Sequence, residues 1–293
     1  MTLASTFAAY AAGALIGLLV HRAGPRLQHA WPVYLRGQLV ATAALLGLFS
    51  AWRLTAVHQI VDPLVLAAVG WLLLGAAVLT RGPRSQGQAA LEGWAAFPNG
   101  AFWVQPLAGA LAGPGGSLIS ALTNAAYAAS NAASIHFMRR DAPVRQRRAT
   151  SWIDQSMLVA VAVGLLAHLT GPAPEASRWV LIVAGPLLAF VGAGLYMGSV
   201  FHPHNVSVVP DRGDASRWGV LTAVRVAYLI LVALVVRSTA VEVIAVLSAL
   251  GPPAFNPPQL AVLYGYRSGV VMVAVRWGWA FLPVGLVVAL LLR

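Results

Sequence analysis

The sequence predicts an all-α integral membrane protein whose ten transmembrane helices form two inverted five-helix repeats, with helices 4 and 9 broken and crossing near the midplane. Three observations carry this prediction: an apolar composition, ten apolar stretches of membrane-crossing length, and a proline-rich interruption in the same stretch of each half. The residues are 59% hydrophobic and 9% charged, whereas a soluble domain has about 25% charged residues. A mean hydropathy of +0.76 agrees with a polytopic membrane protein.

The ten stretches are each about 20 residues long, which is enough to cross a hydrocarbon layer of about 30 Å. They cover residues 2–20, 31–50, 63–80, 93–112, 114–137, 152–170, 179–200, 218–236, 241–264 and 268–292. The first stretch has no basic leader and no small-residue cleavage signal before His21 and Arg22. We interpret it as a retained helix and not as a signal peptide.

Loop arginines predict the orientation. The loops after the odd-numbered spans carry twelve arginines and the opposite side carries four. The positive-inside rule therefore places the odd-numbered loops in the cytoplasm and both termini outside it. All 19 basic residues are arginine, a bias typical of a GC-rich bacterial coding sequence. The expected location is the bacterial cytoplasmic membrane, with multiple passes.

A basic segment at 138–151 separates the first repeat, 1–137, from the second, 152–293. Because each half contains an odd number of spans, the second half has the opposite orientation to the first, as in an inverted repeat. We interpret the segment as a cytoplasmic connector that fixes topology. Binding of anionic lipid is the alternative.

Proline and asparagine interrupt the fourth and ninth spans. The first interruption is Phe97-Pro98-Asn99-Gly100, followed by Pro106, and the second runs from Gly251 to Pro258. Proline removes a backbone donor and clashes with the preceding helical turn, so such breaks need compensation within hydrocarbon. We expect half-helix ends whose free amides bind an anion near the bilayer midplane. Proline kinks absorbed by neighbouring helices are the alternative.

The two breaks resemble those of the auxin efflux carrier family, which includes bacterial carriers and the plant PIN exporters, within the bile acid/auxin carrier superfamily. Pro98-Asn99, followed by Pro106-Leu107 and Gly113, is similar to the family's fourth-helix motif. The ninth-helix motif is similar to Gly251–Asn256 with Ala261 and Tyr264-Gly265. The chain departs from the family by having Val104-Gln105 where a glycine is usual, and by its short central loop.

The resemblance implies secondary transport of a small organic anion, such as an auxin-like carboxylate, by elevator-type alternating access. It places Pro98, Asn99, Pro252 and Asn256 at the substrate site. Spans 4, 5, 9 and 10 would form the moving unit, and spans 1, 2, 6 and 7 a scaffold through which a homodimer forms. Two alternatives stay open: a sodium-coupled symporter of the bile-acid type, and a non-transporting membrane sensor with the same fold.

Polar residues within the spans extend the predicted site. The fifth span presents one polar helical face, made of Ser120, Thr123, Asn124, Tyr127, Ser130, Asn131 and Ser134. Such residues either hold helices together or line a cavity. In the second interpretation Asn124, Tyr127 and Asn131 contact the substrate, together with Gln105 at the departure from the family motif.

Arg276 and Arg225 lie well inside their spans, where charge is costly and normally faces a cavity or a partner. Arg276 is about nine residues into span 10, or about 13 Å deep, and is predicted to attract the anion; the alternative is that it pairs with carbonyls or an end carboxylate. Arg225 is about seven residues into span 8, and we expect it to snorkel to the cytoplasmic interface. No acidic residue lies equally deep. Uniport or potential-driven movement is therefore favoured over proton symport, with sodium coupling left open.

Other functions find little support in the sequence. The absence of cysteine excludes disulfides and thiol chemistry. Neither a phosphate-binding loop nor a nucleophile elbow is present, so we expect neither an enzyme nor ATP-driven transport, and no cofactor. His202-Pro203-His204 has too few neighbouring ligands for a metal site. The basic charge is spread over short loops, which favours the lipid bilayer and not nucleic acid as its partner.

Overall fold

The structure, a computed structural model, describes residues 3–22, 25–56, 58–79, 98, 100–141, 156–185, 187–188, 191–192, 212–251 and 282–291. Within these residues the regular structure is helical and includes no β-strand. The predicted all-α class is therefore confirmed for the described part of the chain. The ten-helix topology and the repeat boundaries 1–137, 138–151 and 152–293 stay predictions.

The helices are α1 (Leu3–Arg22), α2 (Pro25–Trp52), α3 (His58–Leu79), α4 (Gln105–Asp141), α5 (Ser156–Thr170), α6 (Ala176–Trp179), α7 (Arg212–Val235), α8 (Thr239–Leu250) and α9 (Leu282–Leu291). A π-helical turn at Gly100–Val104 leads into α4, and another at Val180–Ala184 continues α6. Within α4, Gly113 has a φ of 68° and a ψ of −157°. Since side chains disfavour a positive φ, this glycine separates residues 105–112 from 114–141, at the point where the sequence predicts the fourth span to end.

Two described helices are long and apolar enough to cross a membrane. They are α3 and the Ser216–Val235 part of α7. Shorter apolar helices occur at Phe7–Leu19, Val40–Trp52, Ser156–Thr170 and Thr239–Leu250.

The chain forms two compact units, and each unit combines segments from both halves of the sequence. Unit 1 comprises Met1–Pro63, Gly100–Ala125 and Trp152–Ser207, and unit 2 comprises Leu64–Asn99, Ala126–Ser151 and Val208–Arg293. The predicted spans 1, 2, 6 and 7 all belong to unit 1. Pro98 and Gly251, which lie within the two predicted interruptions, both belong to unit 2.

Unit 1 is held together by close packing of α2 against α5. Gly164 of α5 is buried, and a Cβ at this position would overlap the Leu48 carbonyl oxygen of α2. Glycine thus lets the two backbones approach, as small residues do in membrane bundles. The neighbouring core contains Leu46, Ala121 and Leu181.

The π-helical turn at Val180–Ala184 is anchored in unit 1 by a side chain of α4. The Ser117 hydroxyl donates a 2.7 Å hydrogen bond to the Leu181 carbonyl oxygen inside this turn. A π-helical turn disrupts the regular α-helical ladder, and in an apolar core a carbonyl without a donor is costly. The buried serine therefore stabilises the irregular turn.

In unit 2, α8 packs against both α7 and α9. Val241 and every residue from Val243 to Ala249 are buried, as expected of a helix that is apolar on all sides. The C-terminal end of α8 is therefore also buried, which positions the second cluster described below.

Two buried polar clusters as the candidate functional site

The structure describes only part of the predicted site. Pro98, Gln105, Asn124 and Tyr127 are described and buried. Asn131 lies in α4, and its side chain is outside the description. The predictions for Asn99, Pro252, Asn256 and Arg276 fall outside the described residues, as do those for His202 and His204.

Pro98 and Gly251, two described residues of the predicted breaks, are not helical. α8 ends at Leu250, and Gly251 adopts an extended backbone with φ −76° and ψ 167°. In the fourth span, Pro98 lies outside any helix and helical structure starts at Gly100. The path of the chain through the interruptions, and hence the crossing of the two helices, stays a prediction.

The first cluster, which we call the amide cluster, lies in unit 1 and consists of Gly100, Gln105 and Asn124. The Asn124 Nδ2 atom donates to the Gln105 Oε1 atom at 3.4 Å. A Cβ on Gly100 would overlap the Asn124 Oδ1 atom, so glycine at this position makes room for the carboxamide. The exposed fraction is 0% for Gln105 and 8% for Asn124, which keeps both amides away from bulk solvent.

The Gln105 side chain leaves one polar group unused. Its buried Nε2 donor has no hydrogen-bond acceptor among the described residues. Most buried donors are satisfied, and an unsatisfied one costs about 1–3 kcal/mol. The amide cluster therefore offers a hydrogen-bond donor to an oxygen-bearing ligand.

Aromatic packing fixes the turn that leads into the amide cluster. Trp103 is 1% exposed, and its ring meets Phe7 and Tyr10 of α1 edge to face, with centroid distances of 6.3 and 5.9 Å. Such pairs add about 0.5–1.5 kcal/mol to apolar burial. The π-helical turn Gly100–Val104 is thereby held against α1, and π-helical turns are frequent at functional sites.

The second cluster, which we call the arginine cluster, lies in unit 2 and is centred on Arg225. This residue is 1% exposed, and its Nη2 atom donates to the Gly251 carbonyl oxygen at 3.3 Å. The expectation that Arg225 snorkels to the interface is therefore wrong. α7 begins at Arg212, six residues before the predicted span, so Arg225 lies near the middle of the helix and not near its end.

Two tyrosines complete the arginine cluster by binding consecutive carbonyls of α3. The Tyr127 hydroxyl donates to the Leu66 carbonyl oxygen at 3.3 Å, and the Tyr228 hydroxyl to that of Val65 at 2.7 Å. Tyr228 and Arg225 are three residues apart, so they share a face of α7.

The polar face predicted for the fifth span is buried at all five of its positions whose side chains are described: Ser120, Thr123, Asn124, Tyr127 and Ser130. Two of its hydroxyls are used within α4, since Thr123 donates to the Ile119 carbonyl at 2.8 Å and Ser130 to that of Tyr127 at 3.0 Å. Asn124 and Tyr127 instead bind groups beyond 114–141. These two residues are the ones that the face contributes to the clusters.

Sequence reasoning did not identify Arg225, Tyr228 or Gly100 as site residues. The spacing of Arg225 and Tyr228 was a usable signal, because an arginine and a tyrosine on one face of an apolar helix require polar partners. Their actual partners, the carbonyls of Gly251 and Val65, come from distant segments. No local pattern indicates them.

Comparison with models of known protein families found no match, and comparison with curated protein sequences found none either. In the part of the chain that the structure describes, no group of three histidine or acidic side chains is placed to hold a metal ion.

Proposed function

We propose that the chain is a multi-pass transporter of the auxin efflux carrier type, which moves a small organic anion across the bacterial cytoplasmic membrane by elevator-type alternating access. The observation that carries this proposal is the buried Arg225 guanidinium, which binds the carbonyl oxygen of Gly251; in the sequence, Gly251 directly precedes the proline-rich segment 252–258. A positive charge inside an apolar bundle marks a substrate or ion pathway in membrane proteins.

Large apolar side chains on the surface support a membrane environment. On α5, Leu166 and Leu169 are 64% and 81% exposed, and on α7 Leu234 is 74% exposed. Surfaces with many exposed large apolar residues mark contact with lipid or with other proteins. Together with the two helices of membrane-crossing length, they support a membrane protein. Ten spans with both termini outside the cytoplasm are part of the proposal and rest on the sequence.

The proposed substrate site combines the residues predicted from the sequence. They are Pro98, Asn99, Gln105, Asn124, Tyr127, Asn131, Pro252, Asn256 and Arg276. The buried, unsatisfied donor of Gln105 supports its inclusion, because a carboxylate oxygen is a suitable acceptor.

The composition of unit 1 supports only the grouping of the proposed scaffold spans. Unit 1 contains all of the predicted spans 1, 2, 6 and 7, but it also contains residues 100–125 of spans 4 and 5, which we assign to the moving part. A scaffold of these spans is also the surface through which we propose homodimer formation. Movement of the anion is proposed to be uniport or potential-driven, because the acidic residues of the sequence lie at span ends or in loops.

The test is uptake of radiolabelled organic acids by proteoliposomes that contain Asn99→Ala or Asn256→Ala. We expect both variants to lose uptake while their folded yield stays at the wild-type level. Asn205→Ala, in a predicted loop, is the matched control and should transport normally. Unchanged uptake by both site variants would overturn the assignment.

A second experiment separates transport from a sensor function. Thermal unfolding of the detergent-purified protein is measured against a panel of carboxylates, with sodium and pH varied. A transporter of organic anions should be stabilised by at least one carboxylate, since ligand that binds only the folded state raises its stability. If no carboxylate stabilises the protein, the non-transporting membrane sensor becomes the better interpretation.

A further inference from the structure

The C-terminal end of α8 has the properties of a cation site. The last four carbonyls of a helix have no intrahelical partner, and the end carries about −0.5 of an elementary charge. Here this end is buried, with Leu247, Ser248 and Ala249 each at most 2% exposed, so water does not screen the charge. In transporters with interrupted helices, such carbonyl ends coordinate sodium ions.

Arg225 brings a covalently attached cation to this helix end. Its Nη2 atom lies 3.3 Å from the carbonyl oxygen of Gly251, the residue that follows α8. The acidic residue of α8, Glu242, is in the first turn, about 13 Å away along the helix at 1.5 Å per residue. The Arg225 guanidinium thus lies at the C-terminal end of α8, whereas the Glu242 carboxylate lies at the N-terminal end.

We propose that the Arg225 guanidinium takes the place of a bound sodium ion at the end of α8, which makes the carrier independent of sodium. The guanidinium supplies a positive charge at a helix end that itself carries about −0.5 of an elementary charge. This charge replaces the one that an ion from solution would bring. This inference rests on the proposed function, since it concerns the ion requirement of the same site.

The test measures sodium binding without any substrate. Thermal unfolding of the detergent-purified protein is compared in sodium chloride and in choline chloride at equal ionic strength. We expect the wild type to unfold at the same temperature in both salts. Arg225→Gln should unfold at a lower temperature in choline chloride, and sodium chloride should raise it again by about 3 °C or more, a shift that is readily measured for a chain of this size.

Arg237→Gln is the matched control, because Arg237 is exposed just after α7. This variant should unfold at the same temperature in both salts, like the wild type. The inference is overturned if sodium stabilises the wild type, or if sodium and choline act equally on Arg225→Gln.

A second variant keeps the test decisive if Arg225→Gln does not fold. Arg225→Lys retains the charge and should unfold at the same temperature in both salts; stabilisation by sodium would overturn the inference. The readout is also independent of transport. Stabilisation of the wild type by sodium would overturn this inference and leave anion transport in place. Unchanged uptake by both asparagine variants would overturn the proposed substrate site and leave the salt comparison unaffected.

Discussion

The amide cluster and the arginine cluster both lie near a predicted helix break, and both are buried, yet they use opposite chemistry. In the amide cluster the backbone makes room for a side chain. Gly100 has no Cβ, and the Asn124 carboxamide occupies the space that a Cβ would fill. In the arginine cluster a side chain satisfies a backbone acceptor, since Arg225 donates a hydrogen bond to the carbonyl oxygen of Gly251. The first cluster is neutral, and the second carries a full charge.

This difference predicts different contributions to binding. Burying a neutral carboxamide costs little once it is hydrogen-bonded, whereas an isolated buried charge costs several kcal/mol unless it is paired. We therefore expect the arginine cluster to set the sign of the charge that is accepted, and the amide cluster to set which shapes and acceptors fit. The following four experiments test this division.

The largest effect is expected for Arg225→Met, which removes the charge and nearly keeps the side-chain length. The Gly251 carbonyl loses a charged donor, so the free energy of unfolding should fall by about 1.5–3 kcal/mol. Uptake of radiolabelled organic acid by proteoliposomes should fall to background. Arg237→Met is the control with an exposed charge, and normal uptake by folded Arg225→Met would show that the arginine cluster does not set charge selectivity.

The next effect in size concerns the space between Gly100 and Asn124. Gly100→Ala should lower the free energy of unfolding by about 1–3 kcal/mol, as overpacking of a tight core does. Chemical denaturation in mixed micelles measures this change.

Two further variants establish the cause of that loss. Gly37→Ala is the control in the same unit, because a Cβ there meets nothing within 4 Å. Adding Asn124→Ala to Gly100→Ala should recover most of the loss, since the two residues then no longer collide. Losses that simply add in the double variant would contradict the packing described for the amide cluster.

Gln105→Leu separates a binding role from a structural one. Leucine removes the buried Nε2 donor that has no acceptor among the described residues, but it also removes the Oε1 acceptor of the Asn124 Nδ2 atom. The free energy of unfolding should therefore fall by no more than about 1–3 kcal/mol, the cost of one unsatisfied buried donor. Uptake should nevertheless fall by about fivefold to tenfold, which corresponds to one lost hydrogen bond to the substrate. A large loss of stability with normal uptake would instead make Gln105 a structural partner of Asn124.

The smallest effect is expected for Tyr228→Phe. It removes the 2.7 Å hydrogen bond to the Val65 carbonyl oxygen, and interhelical hydrogen bonds in membrane proteins contribute about 0.6 kcal/mol on average. Thermal unfolding should register a small decrease, and uptake should match the wild type. A loss of uptake comparable to that of Arg225→Met would extend the charge-setting role from Arg225 to its neighbour on α7.

Local sequence patterns predict the helices and the buried face of α4, because both depend on periodicity that a single segment contains. Asn124 and Tyr127 could therefore be found from their spacing. The burial of Arg225 is not evident from the sequence, because the apolar stretch starts at residue 218 and puts Arg225 near its end, whereas α7 begins at Arg212. Its partner, Gly251, belongs to the next helix, so the contact exists only after α7 and α8 have packed.

Gly100 illustrates the same limit. In the sequence it follows a Pro-Asn pair and is typical of a turn. A turn is compatible with glycine at this position but does not require it. The requirement comes from Asn124, 24 positions later in the chain. Tertiary contacts of this kind, and not the local conformation, determine which residues the two clusters contain.

The π-helical turn at Gly100–Val104 also determines the rotational setting of the helix that follows. Each residue of an α-helix advances about 100° around the axis, and a π-helical turn holds one residue more than an α-helical turn. Without that residue, the Gln105 side chain would point about 100° away from its present direction, out of reach of Asn124. Insertions and deletions between Pro98 and Gln105 should therefore be tolerated less well than substitutions.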